Sequence, residues 1–203
     1  MSTPESTIPL STYSLQDLKS FNHAVYGPVN GRNFELWEML GRLAEYNSRV
    51  LLRVRRNDTK RTPYHLCMML SWLLAIANRL YVDLHKEVTE WCATGLSSDV
   101  PLFELQTFFV SKLSSADLKD TGLCLAEKVL ALTAAIGKFG GVHEENHLKC
   151  ASKKMAETIE ALCVISSLLG VPLAKEFEKH FSSGCNKCRK IPCDCGFRVD
   201  TVV

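Results

Sequence analysis

The chain has 203 residues, 46% of them hydrophobic and 23% charged, with a formal net charge of +2. That balance excludes an intrinsically disordered polyelectrolyte and shows no charge excess that would demand a polyanionic partner. It leaves enough apolar sequence for one fair-sized domain or two small ones.

In chain order, the opening MSTPESTIPLSTYS lacks the basic flank and apolar stretch of a secretory signal, so the expectation is a cytoplasmic protein with residues 1–13 as a mobile polar leader. Apolar positions then recur at three and four residues, with no run of period-two alternation, which predicts an all-α fold. Helices are expected over Leu15 to Tyr26, Phe34 to Arg56, Tyr64 to Tyr81 and Leu84 to Ala93. Gly27 and Pro28 suit a helix end, and Pro63 suits a helix start. The run Leu66 to Val82 is the one stretch apolar enough to suggest a membrane span, but it carries Ser71, Asn78 and Arg79 and is short of the ~20 apolar residues required. It reads as a buried core helix, and no membrane is expected. Thr94 to Pro101, TGLSSDVP, reads as a loop and a boundary.

Beyond that loop the pattern begins again. LQDLKSF from Leu15 is answered by LFELQTF from Leu102, and LAEYNSRVLLRVRR from Leu43 by LAEKVLALTAAIGK from Leu125. YHLCMMLSWLLAIANRLYVDLHKEV from Tyr64 is answered by KKMAETIEALCVISSLLGVPLAKEF from Lys153, a long helix, a short break and a shorter helix in both cases. Three matches in the same order predict two repeats, 14–95 and 100–182. Neither half can readily bury its apolar faces alone, so the two are expected to pack as an intrachain pseudo-dimer. Within the second repeat HEENH, His143 to His147, has the spacing of a zinc-protease phrase, but it lacks a downstream third ligand and reads as a polar inter-helix connection led in by Gly140 and Gly141.

Cys67, Cys92, Cys124, Cys150 and Cys163 are scattered singly and read as small core hydrophobes in a reducing compartment. The other four of nine close the chain in GCNKCRKIPCDCGF, as C-x2-C at Cys185 and Cys188 followed by C-x-C at Cys193 and Cys195. Four thiolates in a short loop suit a structural zinc, with Gly184, Pro192 and Gly196 supplying turns. Free thiols, a redox pair and an iron–sulfur cluster are the alternatives. Residues 183–203 are therefore expected to form a zinc knuckle. With no fourth position open to water, such a metal staples and does not catalyse. Lys187, Arg189, Lys190 and Arg198 make the tail locally basic and permit a nucleic-acid reading, though Phe197 is the only ring there for base stacking.

The segments LSWLLAIANRLYVDLHKEV, IEALCVISSLLGVPLAKEF and HFSSGCNKCRKIPCDC resemble the MazG-like all-α nucleotide pyrophosphohydrolases, some of which close with a similar cysteine-rich tail. The resemblance implies a helical bundle whose active members hydrolyse nucleoside triphosphates to monophosphate and pyrophosphate. They gather Mg²⁺ with an E-x-x-E pair on one helix and an E-x-x-D pair on the next. Residues three apart share a helix face, and Mg²⁺ takes hard oxygen ligands. At the matching places this chain has Tyr46, Arg49, His65 and Met68 in the first half, and Lys128, Ala131, Lys154 and Glu157 in the second. A single acid survives. Lysine beside a divalent ion replaces attraction by repulsion, worth ~4 kcal/mol for unit charges about 4 Å apart at an effective dielectric of ~20.

The expectation is thus a catalytically impaired relative that binds a nucleotide or a protein partner as a regulatory or scaffolding module, with homo-oligomers open. Three other arrangements follow from the same residues. Glu127, Glu157 and Glu160 could hold a relic magnesium site; Lys128 and Lys154 could contact phosphates in place of metal; and Glu35 with Glu38 could supply relocated carboxylates to an active, Mg²⁺-dependent enzyme. A nucleic-acid-associated zinc protein is the remaining alternative.

Overall fold

A computed structural model describes residues 9–56, 58, 60–92, 99–112 and 117–195. Among them the protein is all-helical. After a 3-10 turn at Leu10–Thr12 come α1 (Leu15–Asn33), α2 (Leu36–Arg55), α3 (Thr62–Arg79), α4 (Leu84–Cys92), α5 (Leu102–Ser111), α6 (Leu118–Val142), α7 (Glu145–Leu168) and α8 (Leu173–Phe181). The leader ends earlier than expected. Leu10 is buried against the main core, and the turn that carries it packs on α8 and α5.

Local chemistry explains most boundaries. Ser14 and Asp17 form a reciprocal capping box at the start of α1, and Asp117 accepts from the backbone N–H groups of Lys119 and Asp120 at the start of α6. Pro63 stands in the first turn of α3, where its missing N–H costs nothing. The expected end of α1 at Tyr26 is corrected: the helix runs through Gly27 and Pro28 to Asn33. Pro28 leaves Ala24 without an intrahelical donor, and the neighbouring Val25 carbonyl instead accepts from the Cys193 N–H at 2.7 Å. Tertiary contact therefore carries the helix past its breaker. His143 and His147 do not share a helix face either. His143 is a left-handed cap closing α6, with Gly140 and Gly141 inside that helix, while Glu144 caps α7 and His147 lies in its first turn.

The apolar stripes decide the packing. α3 and α7 are buried on nearly every side and form the middle of the molecule, through residues such as Leu66, Leu70 and Leu74 on one and Met155, Ile159 and Leu162 on the other. α2 packs on α3 and α6 on α7; α1 lies on α3 and α5 on α7; α2 meets α6. The short helices cross over, α4 resting on α7 and α8 on α3. One continuous core therefore spans 14–95 and 100–182, as far as those spans are described. No single helix is long and apolar enough to cross a membrane; the pairs α3–α4 and α7–α8 reach that composition only together and are bent by 108° and 96°.

The two bends share their bonding. Tyr81 and Gly170 both adopt positive φ, 55° and 67°. On either side, Val82 N–H donates to Ala77 at 2.9 Å and Val171 N–H to Ser166 at 2.8 Å. Ser14 and Pro101, each immediately preceding the first helix of its half, meet in an antiparallel bridge. Of the single cysteines, Cys67, Cys92 and Cys163 are buried as expected, but Cys124 and Cys150 are exposed.

Candidate metal clasp and the cleft it walls

The chain leaves α8 through Gly184, whose φ of 98° is open to glycine alone at low cost. A Cβ there would stand 2.7 Å from both the Lys190 carbonyl oxygen and Ile191, so the loop can close only over a bare α-carbon. Cys185 N–H donates to Lys190 at 3.2 Å and Arg189 N–H donates back to Cys185 at 2.9 Å, which rolls the loop into a tight turn. Pro192 follows a cis peptide bond. Gly196, expected to supply a further turn, lies outside the described residues.

All four expected thiols meet. Their sulfur atoms lie within 4.8 Å of one another, with Cys185 to Cys195 at 3.9 Å and Cys188 to Cys193 at 3.8 Å. A tetrahedron with metal–sulfur bonds of ~2.3 Å has edges of ~3.8 Å, so the cluster has the span of a four-thiolate site and is far too open for disulfides. Burial pushes the Cys185 thiol up, but the backbone N–H groups of Cys188 and Lys187 and its polar neighbours outweigh it and bring the group down to about 7. Lys187 N–H lies 3.4 Å from that sulfur. Cys193 and Cys195 are pushed up, by burial first and then by the neighbouring thiols. The four cysteines can hold a metal such as zinc.

The clasp is seated on α1. Cys185 and Cys193 share a small apolar cluster with Val25 and Val29, separate from the main core. Asn186, inside the C-x2-C turn, ties it further: its backbone N–H donates to the Tyr26 hydroxyl at 3.1 Å, and its Oδ1 accepts from that hydroxyl at 3.2 Å. Its Nδ2 donates to the Tyr64 hydroxyl at 3.2 Å and approaches the Met68 sulfur at 3.6 Å.

Between this loop and α1, α2 and α3 opens a cleft of about 1120 Å³. Its walls carry Tyr26, Phe34, Tyr46, Tyr64 and Trp72 as rings, with Arg42 and Arg49 bracketing Glu45. Arg42 Nη1 lies 3.1 Å from the Glu45 carboxylate, Arg49 also pairs with it, and the Arg49 guanidinium lies 5.4 Å from the Tyr46 ring centre. Two cations on one anion leave an excess of positive charge. Phe34 and Trp72 meet edge to face at 5.3 Å, and the buried Trp72 Nε1 has no hydrogen-bond partner among the described residues. Tyr46 is raised to about 12, by burial first and by its neighbour Tyr64. His65, behind Tyr46 at a ring distance of 5.9 Å, is held down to about 4 by burial and by Arg53, Arg49 and Arg61.

In the second half the expected site residues also converge, but on each other. Glu157 is buried and its carboxylate accepts from Lys128 at 2.8 Å and from Lys154 at 2.8 and 2.9 Å. Burial raises this carboxyl, yet the two ammonium groups more than offset it and hold it below its ordinary range. Glu127 is exposed, and Glu160 accepts from Trp91 Nε1 at 2.7 Å. The relic site of Glu127, Glu157 and Glu160 is not assembled: among the described residues only the four cysteines gather three or more metal-ligating side chains. Glu35 and Glu38 form a capping box at the start of α2, with Glu35 N–H donating to Glu38 at 2.7 Å. Of the tail's basic residues, Lys190 pairs with Asp194, Arg189 donates to the His180 carbonyl at 3.1 Å, and Arg198 lies outside the described residues. Asn186 and the ring-lined cleft were not foreseen, since the residues concerned lie far apart in sequence.

Comparison with known protein families, with curated proteins and with solved structures finds no match to this chain.

Proposed function

We propose that this protein is a MazG-like body of two degenerate repeats, stapled by zinc, that binds a nucleotide in the first-half cleft without hydrolysing it and serves as a regulatory module. The observation that carries the reading is the cleft itself: five aromatic rings and two arginines surround the places, Tyr46, Arg49 and Met68, at which the resemblance calls for carboxylates. Rings stack on a base, guanidinium groups take phosphate oxygens in forked pairs, and neither needs a divalent ion.

Several features support the duplication. The bends at Tyr81 and Gly170 have the same bonding, α4 on α7 mirrors α8 on α3, and Ser14 meets its counterpart Pro101. A contact between equivalent residues is what a two-fold axis produces. The matched positions also cluster in both halves, Tyr46 with His65 and Lys128 with Glu157. Lys128 and Lys154 are held by a buried Glu157, whereas Arg42 and Arg49 pair with a partly exposed Glu45 and keep about half of their side chains in solvent, which favours the first half for the anion.

Zinc is favoured over an iron–sulfur cluster because the thiols already stand at the span of a single tetrahedral ion. A four-thiolate zinc carries formal charge −2, so the phosphate group belongs beside Arg42 and Arg49 and not against the clasp.

Equilibrium dialysis of the zinc-loaded chain against nucleoside mono- and triphosphates at low salt tests the assignment. Retention without Mg²⁺ is expected, weakened about tenfold or more by Arg49→Ala, in line with the ~1.5–3 kcal/mol of a charge-assisted hydrogen bond. Uniform absence of binding removes the nucleotide and leaves a protein partner as the reading.

A further inference from the structure

The C-x2-C turn does more than close on its metal. It sends Asn186 into the cleft wall, where one side chain joins three elements: the metal loop, Tyr26 of α1, and Tyr64 with Met68 of α3. Every polar atom of the amide is engaged, since Oδ1 also lies 3.9 Å from the Cys185 sulfur. Asn186 is therefore a spacer held at both ends and has no spare donor for a ligand.

We infer that metal occupancy of the clasp sets the shape of the ligand cleft through Asn186, so that the metal site acts as a positioning element for the binding site. The idea rests on the cleft being the ligand site. It stands on geometry: Cys185 and Lys187 flank Asn186, so whatever fixes the two sulfurs of the turn fixes the amide between them.

The route continues into the cleft without a gap. Tyr64, held by Asn186, meets Tyr46 edge to face at 6.4 Å ring to ring, and Tyr46 carries the Arg49 guanidinium over its face. On the other side the Cys193 N–H holds the Val25 carbonyl beside Pro28, where α1 has lost a hydrogen bond of its own. Both walls thus take a bond from the metal loop, on α3 at Tyr64 and on α1 beside Pro28. When the metal leaves, the four sulfurs lose their common centre, Asn186 loses its fixed seat, and Tyr26 and Tyr64 lose the partner that spaces them.

Asn186→Ala isolates the spacer, because all four cysteines remain. Zinc content measured on the purified full-length variant is expected to match wild type. Hydrogen exchange is expected to rise across 22–30 and 62–70, outside the loop. ATP retention by dialysis is expected to fall about tenfold, which converts to ~1.4 kcal/mol. Asn186→Asp, which keeps the acceptor for Tyr26 and removes the donor to Tyr64, should raise exchange in 62–70 alone. Chelating the metal from wild type under reducing conditions should reproduce the Asn186→Ala exchange pattern.

Exchange changes confined to 183–195 in both variants would overturn the inference, and so would ATP retention that is identical with and without metal. If zinc-loaded wild type retains no ATP, the nucleotide reading fails, while the exchange pattern still decides whether the clasp shapes the cleft.

Discussion

Lys128 on α6 and Glu157 on α7 meet at 2.8 Å, Nζ to carboxylate oxygen, and Lys154 completes the group one helical turn before Glu157. The acid is almost fully buried, while each lysine keeps about a third of its side chain in solvent, at 33% and 31%. The pair of ammonium groups neutralises a carboxylate between two helices. A bound dication would have to displace both.

Removing that acid should be costly. Glu157→Ala leaves two buried-facing ammonium groups without their anion, and thermal or denaturant melts are expected to show a loss of ~2–4 kcal/mol, with Lys128→Met milder because that lysine reaches water. Magnesium at millimolar concentration should leave the melting temperature of wild type unchanged, since a ligand stabilises only the state that binds it.

His65 gives a pH signature. Its folded value, about 4, lies below the ordinary histidine range of ~6.5, so the unfolded chain takes up a proton that the folded one refuses. Stability should therefore fall as pH drops from about 6.5 towards 4 and the contribution should level off below that. Glu157 acts in the acid range: its carboxyl is held low, so its contribution is present above the usual carboxylate range and is lost as pH falls through the folded value. His65→Leu should flatten the first slope, by ~1–2 kcal/mol after allowing for screening by solvent around the arginines, and leave the second intact.

The clasp should hold about one metal ion per chain, released by chelator together with a drop in melting temperature, as for other small metal-bound elements. Cys185→Ser is expected to abolish stoichiometric binding, because it removes the thiol already drawn down to about 7.

Gly184→Ala probes the same loop through the backbone. Its φ of 98° and the 2.7 Å approach of the Lys190 carbonyl to a would-be Cβ should cost ~1–3 kcal/mol. Because that cost falls on the folded loop, a competition titration should find metal affinity weaker by about ten- to a hundredfold.

Much of this was legible in the residues. Alternating spacings of three and four foretold the long helices, and the bend before Leu84 and Leu173 was visible as an apolar run broken twice in the same way. Cys185, Cys188, Cys193 and Cys195 were legible as a site because a short loop keeps sequence neighbours near in space. Pro28 misled, since its local preference for ending a helix was overridden by the Cys193 N–H, a partner far along the chain. The cleft was invisible for the same reason: Tyr26, Tyr46, Trp72 and Asn186 come from four separated segments, and only packing brings them to one wall. Glu35 and Glu38 have the spacing of ligands, and that same spacing makes the capping box found at the start of α2.

The most direct test is pyrophosphate release by zinc-loaded protein given nucleoside triphosphates and Mg²⁺, run beside dialysis of the same nucleotides. Retention of nucleotide with no release above the uncatalysed background, and no effect of Mg²⁺ on retention, is the predicted result. Release that requires Mg²⁺ and disappears when a specific Asp or Glu is replaced would contradict it, because hydrolysis would then have a carboxylate centre.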